Sequence, residues 1–161
     1  MKILSILTYY YPHWTGLTAY AKRLAEGLVE RGHEVTVLTT QHEPDLPRQE
    51  VYHGVRIIRL PTLLRISRGV ISPAFPFVAY RLMRQHDVVQ IHTVLMESWL
   101  VTLLARLAGR QVLFTHHGDL VMPEGLFNRI IERSVTWMMT QAQRMSARIS
   151  IHSEDYACNS S

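Results

Sequence analysis

Three short stretches of this chain hold side chains suited to a polar, charged ligand. In the first, Thr15-Gly16 precedes an apolar periodic segment. A residue without a Cβ at such a turn lets backbone N–H groups and a helix N-terminus approach a phosphate, although the same freedom serves a turn that binds nothing. In the second, His92 and Glu97 lie five residues apart, an imidazole and a carboxylate able to hold a ligand's hydroxyls. Both types are also ordinary at helix caps and dipoles. The third is His116-His117-Gly118-Asp119. An imidazole there can donate a hydrogen bond to a hydroxyl or stabilise charge on a phosphate, and it can equally be a satisfied packing residue. Adjacent strand residues face opposite ways, so His116 is expected to be structural if His117 faces a ligand.

Other chemistries lack their residues. The nine histidines include no H-x-x-x-H or H-E-x-x-H spacing, so no metal is expected. Cys158 is the lone cysteine, which rules out an internal disulfide and a paired-cysteine metal site and fits a reducing cytoplasm. No Ser-His-Asp arrangement can be built. The arginines are scattered and no reader motif is present, so nucleic acid is not an expected partner.

The elements that must position these stretches follow from periodicity. Lys2 to Thr8 is a near-continuous apolar run, the pattern of a strand buried on both faces. From Leu17 to Arg31, Tyr20, Leu24 and Leu28 recur at helical spacing and Gly32 follows as a C-cap. Glu34 to Thr40 is β-branched and apolar again, which completes a crossover unit. Val51 to Leu60 reads as a hairpin around His53-Gly54, or as one strand with a tight bend. Asp87 to His92 is a strand, Glu97 to Ala108 a helix stopped by Gly109, and Gln111 to Thr115 a further strand. Pro123 to Ala147 is a helix with Phe127, Ile131, Val135, Met138, Ala142 and Met145 along one face, and Arg148 to Ile151 a short last strand. This alternation predicts an α/β fold, a doubly wound and mostly parallel sheet with the first strand central. Ligands in such sheets bind beyond the carboxyl ends of the strands where the order reverses. All three stretches fall there.

The chain has 161 residues, the size of one domain, and no linker or repeat divides it. Its 47% hydrophobic and 19% charged residues supply enough apolar surface to fold. The net charge of +4 is carried by arginine, since Lys2 and Lys22 are the only lysines. Such a balance fits phosphorylated ligands or an anionic membrane surface as well as a solvated rim. No apolar run is long enough for a spanning helix or a signal peptide, so the chain is expected to be cytoplasmic, at most peripheral to the membrane. Pro61 to Arg84 mixes Leu63, Leu64, Ile66, Val70, Ile71, Phe75, Phe77 and Val78 with arginines. That mixture suits either core packing with a solvated rim or contact with an anionic membrane.

Read in order, several segments carry a family resemblance. They are Tyr9-Tyr10-Tyr11-Pro12-His13-Trp14-Thr15-Gly16, Arg31-Gly32-His33-Glu34-Val35, Asp87 to His92, Val112 to Asp119 and Ser146 to Ser153. Together they resemble the opening half of family-4 glycosyltransferases of the GT-B fold. No G-x-G-x-x-G occurs, which lowers the rival reading as part of a nucleotide-binding oxidoreductase. Thr15-Gly16, where many relatives have two glycines, is similar to the branch that builds bacterial polysaccharides and exopolymers.

The resemblance implies a Rossmann-like acceptor-side domain over residues 1–161, with a C-terminal donor-binding domain supplied in cis or in trans. The implied reaction moves a sugar, with retention, from a nucleotide diphosphate sugar to a glycan or lipid-linked acceptor without a metal or other cofactor. His117 would be the catalytic residue and Thr15 and Gly16 the donor-phosphate loop. Thr18, His92, Glu97, Gly118 and Asp119 would line the acceptor side of the cleft. A binding module that partners a separately encoded donor domain is the other reading. Alone, the chain would be half an active site.

Overall fold

The computed structural model describes residues 1–66, 69–92, 98–116 and 126–151. Its first elements are β1 (Lys2–Ile6), α1 (Gly16–Glu30) and β2 (Glu34–Thr40), then the pair β3 (Gln49–Tyr52) and β4 (Val55–Leu60). A small antiparallel pair follows, β5 (Leu64–Ile66) and β6 (Gly69–Ile71), and then α2 (Phe75–Met83). The chain continues through β7 (Val88–His92), α3 (Ser98–Leu107), β8 (Gln111–His116), α4 (Leu126–Met145) and β9 (Arg148–Ile151).

Seven strands form one sheet in the order β3-β4-β2-β1-β7-β8-β9. All neighbours run parallel except β3 against β4. β1 is therefore central, with β2 on one side and β7 on the other, and the winding reverses there as the alternation predicts.

The sheet packs into two separate cores, and alternate residues of β2 and β4 enter both. Leu4, Ile6, Leu38, Ile58, Val89, Ile91, Val112 and Phe114 pack with Phe75 and Ala79 of α2, Val101 and Ala105 of α3 and Ala142 of α4. Leu7, Val35, Val37, Val55 and Ile57 pack with Ala21 and Ala25 of α1. Helices on both faces cover the strands, which is why these strands read as apolar runs instead of alternating ones.

Two helix faces are rotated from their sequence reading. In α1 the stripe buried on the sheet is Thr18, Ala21 and Ala25, while Tyr20 and Leu24 flank it half-buried. Alanines let the helix axis come close to the sheet, and the larger residues fill the flanks. In α4 the buried positions are Val135, Met139 and Ala142, so Met139 and not Met138 completes the i, i+4, i+7 stripe.

Turn chemistry fixes two junctions. Gly32 has φ 81°, and the bonds Gly32 N–H to Val29 O and His33 N–H to Leu28 O close α1 with a Schellman motif. His53 and Gly54 have φ of 47° and 77°, the two-residue hairpin loop that needs positive φ twice. A Cβ on Gly54 would stand 2.6 Å from Val29 Cγ1, so both conformation and packing require glycine there. The open alternative at residues 51–60 is thus a hairpin, lengthened back to Gln49.

Candidate functional site

The carboxyl ends of β1, β2, β4, β7 and β8 all lie on one edge of the sheet, because these strands are parallel. α1 begins above that edge. Thr15 is its N-cap, accepting a bond from Thr18 N–H at 3.2 Å. Thr15 N–H donates to Thr18 Oγ1 at 2.8 Å, and Thr18 Oγ1 donates to Thr15 O at 3.1 Å. This reciprocal box uses threonine where glutamate or glutamine usually stands. Thr18 is buried with 2% exposure, so its hydroxyl holds the helix start and does not line the cleft.

Thr15 and Gly16 are exposed. Ala19 N–H makes the first helical bond, to Thr15 O, and the cap satisfies Thr18 N–H. The amides of Gly16 and Leu17 have no intrahelical acceptor, as the geometry of any helix start dictates. Gly16 has no positive φ, and a Cβ built on it meets nothing within 4 Å. Neither the turn nor the packing of the described residues demands glycine here. What the missing side chain leaves is open space beside two amide donors.

The loop that delivers Gly16 is anchored twice. The Arg59 guanidinium, 1% exposed, donates from Nη2 to Tyr11 O at 2.7 Å and to Glu50 Oε1 at 2.6 Å, and from Nη1 to Pro47 O at 3.1 Å. The Tyr11 ring stacks on Tyr52 with centroids 4.8 Å apart, and Lys22 Nζ lies 5.5 Å from Tyr11 and 5.4 Å from Tyr52. Glu26 accepts from Lys22 at 2.8 Å and lies 3.2 Å from His53 Nδ1. The hydrogen bond to Glu26 raises the Lys22 pKa, and the hydrogen bond with Tyr11 raises that of Tyr52. Burial, reinforced by Glu26, pushes the Tyr10 phenol well above its ordinary value, so it is neutral. The Tyr11–Pro12 peptide is cis.

His92 ends β7 at this edge, beside Thr115 in register. Its ring is 1% exposed, with Nε2 3.1 Å from Ser5 Oγ and the Tyr20 ring 6.2 Å away. It contacts both α1 and β1 and is a buried residue under the site. Beside it, Gln90 Nε2 donates to Thr115 Oγ1 at 3.1 Å. His116 ends β8 at the same edge. Glu97, His117, Gly118 and Asp119 lie outside the described residues.

A group that sequence patterns missed also stands here. Tyr9, His13 and His42 form a ring cluster, with centroids 4.9 Å apart for Tyr9 and His13 and 5.0 Å for His13 and His42. His42 follows β2 and Tyr9 follows β1, so no local spacing joins them. Nearby, Gln41, Pro44, Pro61, Thr62, Leu63 and Leu64 line a shallow cavity of about 370 Å³. Among the described residues no group of three His, Cys, Asp or Glu side chains could hold a metal ion.

A Rossmann-like α/β domain with a capped helix start, buried polar strand ends and a ring cluster at its switch-point edge is the class that fold and site define. The chain belongs to the glycosyl transferase 4-like domain family, which matches residues 15–157. Over 61 residues it is 44% identical to an uncharacterised glycosyltransferase of Methanocaldococcus jannaschii, covering 37% of this chain and 15% of that protein. Over 62 residues it is 40% identical to an uncharacterised 42.6 kDa protein in the cps region of Klebsiella pneumoniae, covering 38% and 16%. The matched stretch is thus about one sixth of each relative's length.

Solved structures share the fold. Sucrose-phosphate synthase of Thermosynechococcus elongatus superposes with a TM-score of 0.54 at 18% identity, over 94% of this chain and 47% of that one. MurG of Acinetobacter baumannii gives 0.56 at 17% identity, over 93% and 40%. Both are similar to this chain over less than half of their own length. The fold is that of the Rossmann-like domain of GT-B glycosyltransferases.

Proposed function

We propose that this chain forms the acceptor side of a retaining GT-B glycosyltransferase that moves a sugar from a nucleotide diphosphate sugar to a glycan or lipid-linked acceptor. A second Rossmann-like domain, in cis or in trans, would hold most of the donor. The observation that carries this reading is the start of α1, where the Gly16 and Leu17 amides border open space at the switch point.

In such a transfer the acceptor hydroxyl oxygen bonds to the anomeric carbon while the bond from that carbon to the diphosphate oxygen breaks, and the hydroxyl proton passes to the departing diphosphate. Negative charge grows on the departing phosphate. A helix N-terminus presents roughly half a positive charge and free N–H donors, and these help most when that charge develops. The doubly anchored loop keeps the donors in place before substrate arrives, so little reorganisation is needed at the moment of reaction. His117, one residue past β8, is proposed to donate to the transferred sugar or the leaving phosphate, with Glu97, Gly118 and Asp119 on the acceptor side. No metal is assigned a role. The matched cps-region protein of Klebsiella pneumoniae and the Thr15-Gly16 variant of the loop both support a role in polysaccharide or exopolymer assembly at the inner face of the membrane.

The test is transfer from radiolabelled nucleotide sugars, assayed with the 161-residue chain alone and with the chain joined to a donor-binding Rossmann-like domain. No turnover is expected from the chain alone, and transfer is expected from the joined protein. Turnover by the chain alone would overturn the two-domain account. A joined, folded protein that never transfers sugar would overturn the activity.

A further inference from the structure

Residues 51–86 contain six arginines and neither aspartate nor glutamate. In a chain with 13 acidic residues, that leaves one segment with a single sign of charge. Arg59 is buried and paired with Glu50, so it belongs to the loop anchor. Arg56, Arg81 and Arg84 are exposed.

α2 uses two of its faces for opposite purposes. Phe75, Ala79, Leu82 and Met83 are buried in the core. Phe77, Tyr80, Arg81 and Arg84 recur at i, i+3, i+4 and i+7 on the outer face, and all four are exposed. Phe77 is 78% exposed, the most exposed of the large apolar side chains among the described residues. Arg81 and Arg84 form no ion pair among the described residues. Among the described residues this outer face therefore sets a phenylalanine and a tyrosine beside two arginines that have no ion pair.

The stripe sits next to the candidate site. Ser72 Oγ donates to Pro61 O at 2.8 Å, which fastens the start of α2 to the carboxyl end of β4. Leu63 and Leu64, 73% and 51% exposed, follow that same strand end. The apolar members Leu63, Leu64 and Phe77 are therefore at the cleft edge. Arg84 lies a full helix length away, toward the amino edge, where Asp87 N–H meets Lys2 O.

We infer that Leu63, Leu64, Phe77, Tyr80, Arg81 and Arg84 form a docking surface for an anionic lipid bilayer. Aromatic and aliphatic side chains enter the headgroup boundary while guanidinium groups pair with lipid phosphates, a division of labour typical of interfacial helices. The bilayer is favoured over a protein partner by the one-signed charge of residues 51–86, with the acidic residues nearest Leu63 and Leu64, Glu43 and Asp45, confined to the neighbouring loop. No described helix is long and apolar enough to cross a membrane, so docking would be on the surface. The placement deepens the glycosyltransferase reading, because a bilayer at the cleft edge would present a lipid-linked acceptor to the site. Lipid binding itself requires no turnover.

Co-sedimentation of the 161-residue chain with vesicles of phosphatidylcholine alone, or mixed with phosphatidylglycerol, tests the surface. Binding is expected only to the anionic vesicles, and it should fall as salt shortens the reach of exposed charges. Arg81→Gln and Arg84→Gln should each weaken it about fivefold, since one basic residue near an anionic surface contributes about 1 kcal/mol. Phe77→Glu should weaken it at least tenfold, by about 1.4 kcal/mol or more, and Phe77→Ser separates lost apolar contact from added charge. All three positions are exposed, and an unchanged circular dichroism melt confirms folding. Equal binding to neutral vesicles, no binding to anionic ones, or undiminished binding by the variants would overturn the inference. So would self-association of the lipid-free chain that Phe77→Glu abolishes, since the surface would then belong to a second copy. Failure of the transfer assay would leave the vesicle result standing, and the reverse also holds.

Discussion

His92 Nε2 lies 3.1 Å from Ser5 Oγ, joining the last residue of β7 to the middle of β1 across the line where the sheet reverses. Both side chains are buried. The contact sits under the site and links the strand that delivers the Gly16 loop to the strand that delivers the following loop.

His92→Ala should therefore act first on stability. It removes a buried ring and strands the Ser5 hydroxyl, a loss of about 2–4 kcal/mol by comparison with other buried truncations. Urea unfolding measures it. A full-stability His92→Ala protein would place the ring's role in the cleft instead.

Glu50→Ala tests the loop anchor. Removing the carboxylate leaves the buried Arg59 charge with two carbonyls only, and breaking such pairs costs about 3–5 kcal/mol when both partners are buried. Glu50 is 31% exposed, so the lower end of that range is expected. Amide exchange should quicken at Tyr11 and its neighbours, because Arg59 no longer holds Tyr11 O firmly. Unchanged exchange there would separate the ion pair from the loop.

Gly16→Ala separates a glycine needed for a turn from one needed for a ligand. A Cβ meets nothing within 4 Å and alanine favours helix, so the melting temperature should hold or rise slightly. In the complete enzyme the added methyl group should nevertheless lower transfer, on the order of tenfold, by standing where the diphosphate approaches. Wild-type turnover in Gly16→Ala would end the phosphate-loop assignment.

His117→Ala, in the complete enzyme, should lower kcat more than it raises KM for the acceptor. A donor aimed at developing charge contributes mainly in the transition state, roughly 2–4 kcal/mol by analogy with oxyanion donors, or a hundredfold or more in rate. His116→Ala is the control, expected to leave the rate per folded molecule nearly unchanged. Full turnover by folded His117→Ala would make His117 a structural residue.

His86 makes stability depend on pH. Its pKa is lowered first by burial and further by Lys2 and Arg56, while the Leu82 carbonyl bond and Asp87 raise it. The ring lies between Leu82 O at 2.6 Å and Thr36 Oγ1 at 2.9 Å. A histidine whose folded pKa is depressed keeps its full contribution above the unfolded value of 6.5. As pH falls below that value the unfolded chain takes up the proton first, and stability declines. Urea midpoints between pH 7.5 and 5 should fall, and His86→Gln should flatten that slope. Identical slopes would remove His86 as the cause.

Sequence alone determined the strand and helix alternation, the central position of β1 and the edge at which Gly16, His92 and His116 meet, and it marked His53-Gly54 while leaving a hairpin or a bent strand open there. These follow from local signals: apolar runs, glycines after helices, and the right-handedness of parallel crossovers. Periodicity failed where neighbours across space decide. Thr18 looks like a cleft hydroxyl until its bond to Thr15 is seen, and His92 like a ligand residue until Ser5 and Tyr20 close over it. Arg59, an arginine in an arginine-rich run, is the largest fully buried side chain among the described residues. Its partners Tyr11, Pro47 and Glu50 come from other segments. The stretch from Pro61 to Arg84 was legible only as apolar and basic. The tertiary structure divided it into a small strand pair, a core-facing helix side and an outward stripe. Local spacing fixes which residues share a face, but burial depends on what the rest of the chain places against that face, and that is set by contacts far apart in sequence.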